Sequence, residues 1–164
     1  MPRKTTGAAS ISPNRAIALE DFVRIYQLVY YSTSLVAPLD GGGRKDIENI
    51  LGAAKSLNGK LHVTGALTFN EFYFAQVLEG PYEAVKTVFG GILRDRRHTN
   101  VTVLQEGWVE ARDFSQWAMA YVGDETSLNV ISGNLQLKDI LSEPRAGAAM
   151  ALIEMMRFWL LGHP

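Results

Sequence analysis

The sequence predicts an α+β domain of the ferredoxin-like, split βαβ kind: an antiparallel sheet with two helices on one face and C-terminal helices on the other. Three observations predict it. Runs with strand character and runs with helical spacing alternate in the order β-α-β-β-α-β-β. Most changes of element carry Gly, Pro or Asn. The last strand is apolar on both faces, whereas a sheet half open to water alternates apolar with polar, so its second face needs a cover.

Residues 23–32 (VRIYQLVYYS) are rich in aromatic and branched side chains and form the first strand, followed by the breaker run Pro38-Leu39-Asp40-Gly41-Gly42-Gly43. From 45 to 58, Ile47, Ile50, Leu51, Ala54 and Leu57 recur at helical spacing, and Gly59 stands just after them as a stop. Residues 61–70 and 71–79 are two strands meeting at Asn70-Glu71, and Gly80-Pro81 ends the second. A second helix spans 82–94, with Val85, Val88, Phe89 and Ile92 on one face; strands follow at 101–109 and 116–122. In the last, Trp117, Met119 and Tyr121 alternate with Ala118, Ala120 and Val122. Residues 135–141 and 146–161, separated by Pro144, are the candidate C-terminal helices. The chain thus divides into an arm at 1–22, a folded domain at 23–123 and a helical extension at 124–164.

With 164 residues, one domain and a sizeable core are expected. A net charge of -1 disfavours nucleic acid as a partner. The absence of cysteine removes disulfides, thiolate metal sites and cysteine nucleophiles, and is compatible with a cytoplasmic location. The N-terminus has no continuous apolar stretch of the secretory kind, and 146–161 is too short and too interrupted, by Glu154 and Arg157, to span a membrane. No phosphate loop, nucleophile elbow or HExxH motif is present, and His62 has no second ligand at metal spacing, so it is structural.

Some polar residues interrupt apolar stripes. On the third strand Gln76 shares a face with Phe72, Phe74 and Leu78. A buried amide left unbonded costs about 1–3 kcal/mol, so Gln76 has designated partners or lies exposed. Asn58 falls on the same side of the first helix as Ile47, although asparagine before glycine is also a common helix cap. Tyr30 shares a strand face with Tyr26 and Leu28, as a core tyrosine would. The run Arg94-Asp95-Arg96-Arg97-His98 complements the negative end of a helix dipole, or presents a guanidinium to a planar ligand bearing carbonyls.

Taken in order, LVYYS (28–32), Asn58 followed by VTGAL (63–67), FAQVLEGP (74–81), RDRRH (94–98) and Trp117-Ala118-Met119 resemble the signature of the BLUF family of flavin-based blue-light sensors. The resemblance covers most of the domain and implies that 23–123 is a sensor with FAD, or alternatively FMN, between its two helices. It implies that Tyr30 is the photoactive tyrosine and Gln76 the switching glutamine. Asn58, Arg97 and His98 then line the flavin edge, and Trp117 and Met119 are the residues that change environment in signalling. Two amides and a guanidinium suit the donor and acceptor pattern of such an edge.

A sensor of this kind has no catalytic activity of its own. With no effector segment after it, output is expected through a downstream protein or through a homo-oligomer, with no membrane and no metal. An acylphosphatase-like hydrolase and a ferredoxin-like RNA-binding module are the competing classes. The first lacks an arginine-bearing phosphate loop after strand one, and the second lacks a basic face.

Overall fold

The structure is a computed structural model that describes residues 24–123, 141 and 147–161. The expected arm at 1–22 lies outside them, as does the predicted helix at 135–141 apart from Leu141. Strand β1 (Ile25–Ser34) leads through a 3-10 turn at Leu39–Gly41 into helix α1 (Gly43–Lys60). Strands β2 (Thr64–Phe69) and β3 (Tyr73–Gly80), helix α2 (Tyr82–Ile92), strands β4 (His98–Val109) and β5 (Ala120–Val122), and helix α3 (Ala148–Leu161) follow. The five strands form one sheet in the order β4-β1-β3-β2-β5.

The expected ferredoxin-like α+β arrangement is present, with one difference. Strand β5 runs parallel to β2, pairing Ala66 with Ala120 and Thr68 with Val122, so the sheet is mixed rather than wholly antiparallel. The two sheet faces carry separate cores. Leu28, Tyr30, Leu67, Phe74, Leu78 and Met119 pack with Ile47 of α1 and Val85, Val88 and Phe89 of α2. Val29, Ala66, Ala75, Val77, Ala120 and Val122 pack with Leu152, Ile153, Met155 and Met156 of α3. The alternation of β1, β2, β3 and β5 thus feeds two apolar layers, and α3 is the cover that an all-apolar last strand demands. No described helix is long and apolar enough to cross a membrane.

Several boundaries move, each for a local reason. The Asn70 side chain accepts from the backbone N–H of Phe72 (3.3 Å) and Tyr73 (2.8 Å), and Glu71 takes a left-handed φ of 70°, so the hairpin turn includes Phe72. Phe72 is 67% exposed rather than in the stripe with Gln76. Helix α1 runs through Gly59; the left-handed residue that turns the chain is His62, with φ 56°. Asn58 is therefore inside the helix, and the cap explanation for it does not apply.

The largest change concerns residues 116–119, which precede β5 instead of belonging to it. The Trp117 N–H is bonded to the Phe114 carbonyl (3.1 Å), a turn that breaks the alternation. Met119 consequently lies in the core beside α1 and α2, and Trp117 packs against the core beside α3.

Candidate functional site

Between the sheet and the two helices on its first face lies a cavity of about 250 Å³. Its walls include Tyr30, Asn58, Gln76, Arg97 and His98, five of the seven residues singled out in the sequence. The apolar stripe of α1 leans over this space: Ile50, Ala54 and Leu57 line it instead of closing onto the sheet. Such a gap beneath an amphipathic helix is where a flat ligand would complete the core.

Strand register brings the central pair together. Tyr30 of β1 stands directly opposite Gln76 of β3, and its hydroxyl donates to Gln76 Oε1 at 2.5 Å. Tyr30 is 2% exposed, and its ring packs on Phe89, 5.4 Å between centroids. The Gln76 Nε2 group donates in turn to the Met119 sulfur at 3.4 Å, a weak acceptor. Burial, with the nearby charge of Asp95 adding to it, pushes the Tyr30 phenol far above its ordinary value. The folded state therefore holds this proton more tightly than the unfolded chain. That contribution to stability is full below about pH 10 and declines as pH rises above it.

Asn58 is fully buried; its Nδ2 donates to the Ala118 carbonyl (2.9 Å), while its Oδ1 has no partner in the protein. His98 is a strut, with Nδ1 on Ser32 Oγ (2.7 Å) and Nε2 on the Ile92 carbonyl (3.0 Å). Because a carbonyl can only accept, Nε2 carries the hydrogen and Nδ1 receives the serine hydroxyl in the neutral ring. His98 thus shapes the wall, and both its nitrogens are taken by the protein. Arg97 grips Asp95 through Nε (2.9 Å) and Nη2 (2.5 Å), and Nη1 takes no part in that pair. This contact holds the Asp95 carboxyl below the usual carboxylate range and raises the guanidinium.

Met119 reaches the site through Gln76. Trp117 does not: it lies on the opposite side of the sheet, for the reason given above. Asp95 and Ser32 were missed. The one carboxylate inside an otherwise basic run was a signal for the first; nothing local marked the second.

Fold and cavity together define a ligand-binding domain of ferredoxin-like topology, with a buried tyrosine–glutamine pair in the wall of its pocket. The family described as "Sensors of blue-light using FAD", BLUF, matches residues 25–120, and the chain belongs to that family. The matched segment is a flavin-binding blue-light sensor, not an enzyme. The chain is 40% identical over 75 residues to the blue light- and temperature-regulated antirepressor BluF of Escherichia coli (strain K12), covering 46% of this chain and 19% of that protein. The dark-state structure of the BLUF protein BlrB superposes with a TM-score of 0.71 at 25% identity, over 83% of this chain and 97% of that one. A structure of Klebsiella pneumoniae BlrP1 with FMN and cyclic diGMP gives 0.53 at 27% identity, over 80% of this chain and 30% of that one.

The residues present fit a flavin. The unpartnered Asn58 Oδ1 is a buried acceptor awaiting a donor, Arg97 brings a cation to the same wall, and the remaining lining is largely apolar. Among the described residues no group of side chains could hold a metal ion. Among the described residues the central strands are covered by helices on both faces, and their aromatic side chains Tyr30, Phe69 and Phe74 are buried rather than presented as on an RNA-binding sheet.

Proposed function

We propose that the chain is a blue-light photoreceptor holding FAD between α1 and α2, with FMN the alternative, and signalling by a hydrogen-bond switch centred on Gln76 and Tyr30. The buried hydrogen bond from Tyr30 to Gln76 in the cavity wall carries this reading. Bound flavin supplies the absorption of blue light and, once excited, an acceptor for one electron. Tyr30 is the donor suited to it: its phenol is neutral, and the hydroxyl proton has one bonded path, to Gln76.

Gln76 provides two states. As it stands, Oε1 accepts from Tyr30 and Nε2 meets sulfur. With the amide turned over, Nε2 donates to the Tyr30 oxygen and Oε1 leaves the sulfur without a donor. Both arrangements keep one hydrogen bond between the same two groups, but the turned one gives up the contact to sulfur and the acceptor of the Tyr30 hydroxyl, so the first is the resting state and the second is one that a transient event populates. Asn58, Arg97 and His98 set the pocket edge, and Met119 and Trp117 sense the change from opposite sides of the sheet.

In this reading residues 1–22 are an arm, 23–123 the sensor and 124–164 the helical extension, acting in the cytoplasm on a partner protein or through assembly. The purified protein is expected to be yellow, with one non-covalent flavin whose spectrum red-shifts under blue light and recovers in darkness. Failure to take up either flavin on reconstitution would remove the proposal; chromatography of the released flavin separates FAD from FMN.

Helix α3 supports a homo-oligomer. It buries Leu152, Ile153, Met155 and Met156 against the sheet, yet leaves Met150 53% and Leu161 54% exposed and Trp159 and Leu160 partly so. An apolar surface on more than one side asks for a second cover, and methionines suit adaptable contacts. Light scattering of the full chain is expected to give a mass above the monomer; a monomer would remove the oligomer.

A further inference from the structure

Behind the sheet, on the face away from the cavity, lies a polar cluster that the switch itself does not use. Its centre is Glu79 of β3, three residues after Gln76 and fully buried. Both carboxylate oxygens receive donors: Oε1 from Gln27 Nε2 (3.0 Å) and the Asp113 backbone N–H (2.8 Å), Oε2 from the Phe114 N–H (3.0 Å) and Thr64 Oγ1 (3.4 Å). Arg112 closes the end of the sheet, donating to the Glu79 carbonyl (2.7 Å), Thr64 Oγ1 (2.9 Å) and the His62 carbonyl (2.9 Å). Gln27 Nε2 also donates to Asp113 Oδ2 (3.0 Å), and Asp113 Oδ1 meets Arg157 of α3 (3.2 Å).

The segment 112–119 is thereby fastened to β3 at two points on opposite faces, by Glu79 at its start and by Gln76 at Met119. The fastenings are unequal. A buried carboxylate with several donors makes charge-assisted bonds about twice as strong as neutral ones, whereas β3 holds Met119 by a single N–H on a thioether; the backbone there is held from α1 and β2 instead, by Asn58 on the Ala118 carbonyl (2.9 Å) and by the Gly65 N–H on the Trp117 carbonyl (3.0 Å). When Gln76 rearranges, β3 loses its hold on the Met119 side chain, and the Glu79 end is what still couples β3 to the segment.

Resting on the photoreceptor reading, we propose that Glu79 is a positioning residue, the hinge between β3 and the start of segment 112–119, and that the chain Glu79–Asp113–Arg157 passes the displacement of β3 to α3. Phe114, fully buried in the core beside α3, moves with the same hinge. The Arg157–Asp113 pair is half-exposed, with Arg157 at 50%, and so adds little to stability; removing it leaves the fold intact.

The test measures the flavin spectrum and hydrogen–deuterium exchange of α3 together, in darkness and under steady blue light, on the flavin-loaded full chain. The parent is expected to show the red shift and a light–dark difference in α3. Arg157→Ala is expected to keep the red shift and lose the difference, and Arg157→Lys to restore it. Glu79→Gln places an amide among backbone donors: the red shift persists, dark recovery quickens and the α3 difference is lost. Should that variant fail to fold, Gln27→Met removes one donor and the Asp113 bridge and is expected to weaken the response in the same direction. A parental α3 response in Arg157→Ala overturns the relay, as does a parent with a red shift but no α3 response. Parental recovery and response in Glu79→Gln, or in Gln27→Met where Glu79→Gln does not fold, overturns the hinge. A parent with no red shift would instead overturn the photoreceptor reading.

Discussion

Replacing Gln76 by leucine is expected to leave a flavin-loaded protein whose light-induced red shift is lost completely. Leucine is close to glutamine in size and suits the stripe of Phe74 and Leu78, so the strand keeps its packing. The Tyr30 hydroxyl, however, loses its partner in a buried site, at a cost of about 1–3 kcal/mol. Flavin retention is expected because Asn58, Arg97 and the apolar wall of α1 are untouched. The response disappears because no side chain remains that can hold two hydrogen-bonded states. Tyr30→Phe reaches the same end from the donor side, removing the proton and the readily oxidised phenol while keeping the ring on Phe89. Difference spectra before and after blue light, with a denaturant titration for stability, check both; a parental red shift in both variants would show that the switch lies elsewhere.

Gly65→Ala is expected to destabilise the domain by about 4 kcal/mol or more, a large share of the roughly 5–15 kcal/mol that folds a domain. A Cβ at this position would stand 2.0 Å from the Val77 carbonyl oxygen, backbone against backbone, so β2 and β3 have to part. Gly65 also donates its N–H to the Trp117 carbonyl (3.0 Å), and parting the strands disturbs the segment that carries Trp117 and Met119. Gly59→Ala is the control: nothing lies within 4 Å of its Cβ, and alanine in a helix is worth about 0.5–1 kcal/mol over glycine. Thermal melts should therefore shift in opposite directions, and a melt of Gly65→Ala near the parent's would contradict the close approach of the strands.

These cases show why some features were readable and others not. Strand and helix identity depends on local periodicity, so every strand and α-helix of 23–123 was visible, and Asn58 and Gln76 stood out as amides in apolar stripes. Trp117 was misplaced because the turn it makes with Phe114 is anchored by Glu79, 35 residues from Phe114 in sequence, and no window sees that contact. The same distance hid the role of Glu79: in sequence it is a charged residue near a strand end, and only the pairing of β1, β2 and β3 together with the return of residues 113 and 114 surrounds it with donors. Phe72 looked buried because alternation was extended one residue too far, into a turn set by the Asn70 side chain.

The two edges of β1 differ in mechanical compliance. Toward β3 its register runs unbroken from Tyr26–Gly80 to Thr33–Tyr73, whereas toward β4 it is interrupted between Val29 and Tyr30 and again between Tyr31 and Thr33. Irregular pairing bends and twists more readily than a regular ladder. Strain imposed on the sheet, by heat, by crowding against a partner or by the docking of α3, is therefore taken up along the β1–β4 seam. The spacing of Tyr30 and Gln76 is held by the stiff seam beside it. The bond between these two side chains is thus insulated from the deformations of the body that carries it.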